Sequence, residues 1–345
     1  MPRFWCRTTL RHVLPARSSF STRAAMHAAA AARRLLASLA FAAAFVALAA
    51  GCGRSPESRA SAGDTARASD TARAAAGSTY ADEMARRHTG EEPVASPAAR
   101  RAPDTAVTGR EVVYGTVAGE KLTGYVAVPE YAAADSAAGD SAKLPALIAV
   151  HEWWGLNDNI RRVARRLAGR GFRVLAVDLY ADRVGETPQE ARRLMKQVTS
   201  DTKAIRRNVE AAYQHLAGEH DASQVGIIGW CFGGGVALNS AIALPGSLDA
   251  AVIYYGALEN ATREALRPVS MPIIGFFGAQ DPSIPVERVR RFEQTLGELD
   301  KDAEIYIYED AGHAFANPSG ERYVPRAAKD AWQKTIDFLN YYLKE

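Results

Sequence analysis

The chain has 345 residues, 42 of them basic and 39 acidic, for a formal net charge of +3. That near balance, with the excess owed largely to arginines scattered through the N-terminal part, excludes the concentrated basic face of a nucleic-acid binder. Only from Val107 onward do apolar blocks alternate with polar ones, so a packed core is expected there and not before.

Arg33-Arg34 precede an apolar and small-residue run from Leu35 to Ala50, followed by Gly51-Cys52. A basic start, an apolar stretch and small residues at a cleavage point make an export signal. Such a signal begins close to its initiator, so Met26 fits the start, residues 1–25 read as a mis-assigned extension and residues 26–51 as the signal peptide. The order Leu48-Ala49-Ala50-Gly51-Cys52 resembles the bacterial lipobox, with leucine one place further from the cysteine than that pattern has it. The resemblance implies lipidation of Cys52. The alternatives are a simple cleaved signal or an uncleaved single-pass anchor, since the run is near the length that spans a bilayer.

Residues 52–108 carry Ala, Ser, Thr, Gly, Arg and Pro with few large apolar side chains, and read as a flexible tether. The protein is therefore expected in the bacterial cell envelope, held at the membrane by its N-terminal lipid or signal anchor. Of Cys6, Cys52 and Cys231, cleavage removes the first and acylation blocks the second. Cys231 is then a lone thiol with no intramolecular partner for a disulfide. A small buried hydrophobe is the plainer role for it.

The catalytic domain is placed at residues 109–345. Val112 to Val117 and Leu122 to Val128 alternate around Gly119, which predicts a hairpin. Leu144 to Val150, Phe172 to Leu179, Val225 to Trp230, Ala250 to Tyr255, Ile273 to Phe277 and Ile305 to Tyr308 are short apolar runs without alternation, as expected of strands buried on both faces. Between them lie amphipathic stretches, Ile160 to Arg170, Glu190 to Leu216, Gly234 to Ala243, Val286 to Leu299 and Ala327 to Leu343. Strand and helix alternate, which predicts a mostly parallel sheet flanked by helices, with its chemistry at the carboxyl ends of the strands.

Just past one such strand comes Gly229-Trp230-Cys231-Phe232-Gly233-Gly234-Gly235. This is the G-x-C-x-G form of the nucleophile elbow, a turn so sharp that the residues two before and two after the nucleophile must be small. The helix that follows starts right behind the sulfur, and its N-terminal dipole favours a thiolate and a developing oxyanion. A phosphate-binding loop is disfavoured, because no lysine follows and the G-x-G-x-x-G spacing is absent. Asp281 follows a later strand in Phe277-Gly278-Ala279-Gln280-Asp281-Pro282, and His313 the next in Glu309-Asp310-Ala311-Gly312-His313. Nucleophile, acid, histidine is the chain order of α/β-hydrolase triads. A histidine titrating near neutrality both accepts and donates the proton, and the acid behind it fixes its tautomer.

These residues, with His151-Glu152-Trp153-Trp154-Gly155-Leu156-Asn157 after the first buried strand, resemble the dienelactone hydrolase family, cysteine-dependent members of the α/β-hydrolase fold, over roughly Glu111 to the C-terminus. The resemblance implies that Glu152 takes the proton of the Cys231 thiol when substrate binds, and that the backbone N–H groups of Trp153 and Phe232 form the oxyanion hole. Trp154, Tyr180 and Arg183 are expected at the substrate. In the family's reference enzyme, arginines hold the substrate carboxylate, one of them four residues after the catalytic histidine. Asn317 stands in that place here, and Arg183 is displaced by one from the other, so dienelactone itself is not the expected natural substrate.

The expected activity is hydrolysis of a small ester or lactone by a monomer, with no cofactor or metal. An envelope lipoprotein that keeps the fold as a ligand-binding or thiol redox-sensing module is the alternative.

Overall fold

The computed structural model describes residues 81–82, 84–86, 88–89, 97–135 and 143–344. All of them belong to the compact unit Ala62–Glu345. The expected extension, the signal peptide, Cys52 and the first part of the tether lie outside the described residues.

After a 3-10 turn at Pro97–Arg100, β1 (Val107–Val117) and β2 (Glu120–Pro129) pair antiparallel around Ala118-Gly119, both at positive φ. The short α1 (Glu130–Asp135) precedes β3 (Ala146–Val150). The alternation then runs α2 (Asp158–Ala168), β4 (Arg173–Val177), α3 (Pro188–Thr199), α4 (Thr202–Gln214), β5 (Val225–Trp230) and α5 (Phe232–Ala243). It ends with β6 (Ala250–Tyr254), α6 (Arg263–Leu266), β7 (Ile273–Gly278), α7 (Val286–Glu298), β8 (Ala303–Tyr308) and α8 (Pro325–Lys344).

These strands form an eight-stranded sheet in the order β1-β2-β4-β3-β5-β6-β7-β8. The first two pairings, β1 with β2 and β2 with β4, are antiparallel, and the others are parallel. β3, β5, β6 and β7 are buried at every position, which is why their sequences show unbroken apolar runs: helices cover both faces. The expected mostly parallel sheet flanked by helices is the fold observed.

Two sequence expectations need correction. The stretch from Glu190 to Leu216 is not one helix but α3 and α4, broken at Ser200-Asp201. There the Asp201 carboxylate accepts from the Ala204 N–H at 2.9 Å and so caps a new helix start. The tether does not run free to residue 108 either. Ala81 and Met84 are fully buried, His88 nearly so, and Val107 already belongs to β1. Three buried side chains in a polar stretch carry no period, so composition hides them.

What the topology does for function lies at β3. The chain leaves β3 for β4 on one side and reaches β5 on the other, so the connections above the two strands diverge and open a crevice at their carboxyl ends. Val150 is registered opposite Gly229, so Glu152 and Cys231 each stand two residues beyond that pair, side by side at the crevice.

Candidate active site

β5 ends at Trp230 and α5 begins at Phe232, so Cys231 alone makes the turn, at φ 54° and ψ −117°. A side-chain-bearing residue adopts such a conformation only where its surroundings over-determine it. Here the Cys231 N–H donates to the Tyr254 carbonyl at 3.0 Å, and its carbonyl accepts from the Gly235 N–H at 3.2 Å. The glycines permit the close approach: a Cβ on Gly229 would collide with the Gly233 carbonyl, and one on Gly233 with the carbonyl of Val150. Cys231 sits at the N-cap of α5, yet its side chain makes no capping bond, so the thiol stays available at the positive end of the helix. The Phe232 N–H, at the first helical position, has no acceptor within its own helix.

His313 and Asp281, supplied after β8 and β7, meet as the chain order predicts. His313 Nδ1 donates to Asp281 Oδ2 at 2.7 Å, with both side chains buried. The other carboxylate oxygen, Oδ1, accepts from the Ser283 N–H at 2.7 Å and the Ile284 N–H at 3.3 Å. Burial alone would raise the Asp281 pKa, but the His313 charge and these donors hold it below its ordinary 3.8. Burial likewise opposes charge on His313, and the Asp281 charge, aided by that of Cys231, outweighs it and pushes the imidazole up to about 10. With Nδ1 engaged, Nε2 is the nitrogen left for reaction.

Glu152 faces this pair from the end of β3, buried, and lines the same cavity as Cys231. Its Oε1 accepts from the Tyr255 hydroxyl at 3.3 Å and its Oε2 from the Asn317 amide. Asn317 is itself held with its amide nitrogen toward Glu152, because its Oδ1 accepts from Asn159 Nδ2 at 3.2 Å, the Ser319 N–H at 2.8 Å and the Ser319 hydroxyl at 3.0 Å. The backbone of Glu152 is fixed by His151: Nδ1 donates to the Glu152 carbonyl at 2.6 Å, while Nε2 accepts from the Leu179 N–H at 3.2 Å. That pair of roles requires the neutral ring, and complete burial lowers the His151 pKa accordingly.

Tyr255 and Asn317 were not expected to hold Glu152. Tyr255 does stand at the carboxyl edge, just past β6 with φ 35°, where the rule that flags Glu152 applies equally. Asn317, noted only as a missing arginine, takes up the Glu152 carboxylate instead.

The expected substrate residues fall into three environments. Trp154 lines the cavity beside Trp153, their ring centroids 4.8 Å apart. Tyr180 is buried, stacked on Phe232 at 6.0 Å and edge-on to His151 at 4.7 Å, so it braces the turn at Phe232 from behind. Arg183 is exposed: Nε donates to the Tyr180 carbonyl at 3.1 Å and the guanidinium to Gln197 at 3.2 Å, which turns it away from the cavity. The Asp178 carboxylate causes this by binding the N–H groups of Tyr180 and Asp182, with Ala181 and Asp182 both at positive φ. His88 also lines the cavity, and sequence reasoning did not single it out.

A profile of the dienelactone hydrolase family matches residues 131–343. A Salmonella typhimurium protein assigned as a candidate carboxymethylenebutenolidase is 31% identical over 270 residues, covering 74% of this chain and 96% of that one. A Bradyrhizobium protein assigned as a 2-oxo-3-(5-oxofuran-2-ylidene)propanoate lactonase is 32% identical over 216 residues, covering 59% and 86%. Among solved structures, that of a candidate dienelactone hydrolase from Klebsiella pneumoniae is 28% identical with a TM-score of 0.59, covering 69% of this chain and 100% of that one. A dienelactone hydrolase-like promiscuous phosphotriesterase from metagenomic libraries is 25% identical with a TM-score of 0.60, covering 69% and 99%.

Proposed function

The chain belongs to the dienelactone hydrolase family and is a hydrolase of esters or lactones, and from that premise we propose that it works by two-step acyl transfer through Cys231. What supports this most is the convergence of a strained, uncapped thiol, a buried imidazole–carboxylate pair and a second carboxylate, Glu152, at one edge of the sheet.

In this reading Glu152 accepts the thiol proton once substrate is bound. The thiolate attacks the carbonyl carbon, and the developing oxyanion takes the backbone N–H groups of Trp153 and Phe232. Collapse breaks the bond to the leaving oxygen, which receives a proton from His313. His313 then takes a proton from water, the resulting hydroxide attacks the thioester, collapse releases the acid and expels the thiolate, and Glu152 returns its proton to the sulfur. Asp281 holds His313 in the tautomer and charge state this requires. The enzyme sits in the bacterial envelope as a monomer, carried there by the signal at residues 26–51 and the lipid on Cys52.

Hydrolysis of lactones, aryl esters and thioesters by wild type, Cys231→Ala and Cys231→Ser tests the assignment. Turnover abolished in the alanine variant supports it. Turnover untouched refutes it and turns attention to a ligand-binding or thiol-sensing role. Labelling with a fatty-acid precursor, retained in wild type and lost in Cys52→Ser, tests the anchor.

A further inference from the structure

The cavity at Cys231 has a volume of about 20 Å³, room for little more than a water molecule. Sites that take small organic ligands run to roughly 300–1,000 Å³. No ester reaches the sulfur unless a wall moves.

One wall comes from outside the span matched by the family. His88 is 3% exposed, its ring centroid 4.8 Å from Trp153, 6.4 Å from Trp154 and 6.1 Å from His313. It is wedged between the loop expected to supply an oxyanion donor and the imidazole expected to move the proton. The residues ahead of it are helical at each described position, and the His88 N–H continues that turn by donating to the Met84 carbonyl at 3.0 Å.

Among the described residues, Met84 and Asp82 fasten the segment beside the packing of His88. Met84 is buried, and its sulfur accepts from the Ser283 hydroxyl at 3.6 Å, beside the turn that holds Asp281. Asp82 pairs with Arg192 at 2.6 Å and Lys196 at 2.5 Å on α3, all three side chains a third to a half exposed. Ion pairs that wet contribute little each. No strand of the sheet passes through the described residues of this segment, so it lifts without breaking a ladder.

We propose that residues 81–82, 84–86 and 88–89 form an intramolecular gate over the acyl pocket, with His88 the specificity-determining residue at its tip, excluding acyl groups from the space beside Trp153 and Trp154. Closed, the segment shields the thiol; lifted, it admits the ester. The proposal rests on Cys231 being the nucleophile only for its enzymatic consequence.

The test uses the full chain. Alkylation of Cys231 by iodoacetamide is followed by peptide mass spectrometry, beside kcat/KM for p-nitrophenyl acetate, butyrate and hexanoate, in wild type, Asp82→Asn, His88→Ala and His88→Phe. If the open fraction is below about one tenth, His88→Ala raises the alkylation rate roughly tenfold, and Asp82→Asn moves it the same way by less. The gain in kcat/KM grows from acetate to hexanoate and lies mainly in KM. His88→Phe, which refills the space without a titratable nitrogen, restores the wild-type acyl profile. Alkylation and acyl profile unchanged in both His88→Ala and Asp82→Asn overturn the gate. Acetate hydrolysis lost in His88→Phe overturns the wall role in favour of proton chemistry by the ring. Should His88→Ala fail to fold, Asp82→Asn carries the alkylation test. Faster alkylation without ester turnover in any variant leaves the gate standing and removes the hydrolytic reading.

Discussion

Two carboxylates stand at the same edge of the sheet and are held by different partners. Asp281 is given a cation: His313 donates to one oxygen and two backbone N–H groups to the other, and the carboxyl is held below its ordinary range. The Glu152 carboxylate accepts from the Tyr255 hydroxyl and the Asn317 amide. A carboxylate paired with a buried cation is committed to orienting it. One that stands beside a thiol can take up its proton. The proposed mechanism gives Asp281 the holding role and Glu152 the proton transfer, and the comparison can be broken from either side.

The largest effect falls outside the comparison and sets its scale. Removing the proposed nucleophile in Cys231→Ala lowers kcat on an activated ester by on the order of 10³-fold or more, because the remaining partners act as a unit with it. Next comes Asp281→Asn, with a loss of about 10²–10⁴-fold as the imidazole loses its tautomer and charge. This variant also moves the alkaline limb of the pH–kcat/KM profile. In the wild type that limb reports His313 and lies near 10; without the Asp281 charge it falls toward the ordinary 6.5.

The same pair gives the fold a signed pH dependence. His313, raised from 6.5 to about 10, contributes stability that is complete below 6.5 and fades as pH climbs to about 10. Asp281, lowered from 3.8, contributes stability that is complete above 3.8 and fades as pH falls below it. Thermal melts in Asp281→Asn therefore lose the most, relative to wild type, between those limits.

Glu152→Gln sharpens the other half. It keeps the shape and removes the base, so kcat falls by about 10²-fold while folding is retained. The decisive detail is the pH profile: this variant keeps an alkaline limb near 10, because His313 still has its acid. Smallest is Tyr255→Phe, which removes one neutral donor from Glu152 and costs about 1 kcal/mol, or roughly fivefold in kcat/KM. A loss as large as that of Glu152→Gln would mean that the hydroxyl itself acts on the substrate.

How much of this was legible in the chain follows from the range of the signals. The elbow is local, and Asp281 and His313 each follow an apolar strand at short range, so pattern and order reach them. The Glu152 environment is assembled from residues far apart: Tyr255 lies 103 positions away and Asn317 lies 165. A tyrosine closing a buried strand looks like core, and an asparagine in place of an arginine looks like a loss. Arg183 was expected at the substrate because it lies one place from the family's second arginine, but its direction depends on the loop that Asp178 folds, which no pattern encodes. His88 was invisible because a single turn with three buried side chains has no period to detect.

The central claim is that acyl groups pass through the Cys231 sulfur. Rapid quenching of wild type after mixing with p-nitrophenyl acetate, followed by peptide mass spectrometry, should show one acetyl group on the peptide that contains Cys231 and none there in Cys231→Ala. Continued turnover with that peptide unmodified, or an acetyl group on a different side chain that turns over at the rate of the reaction, would contradict the account.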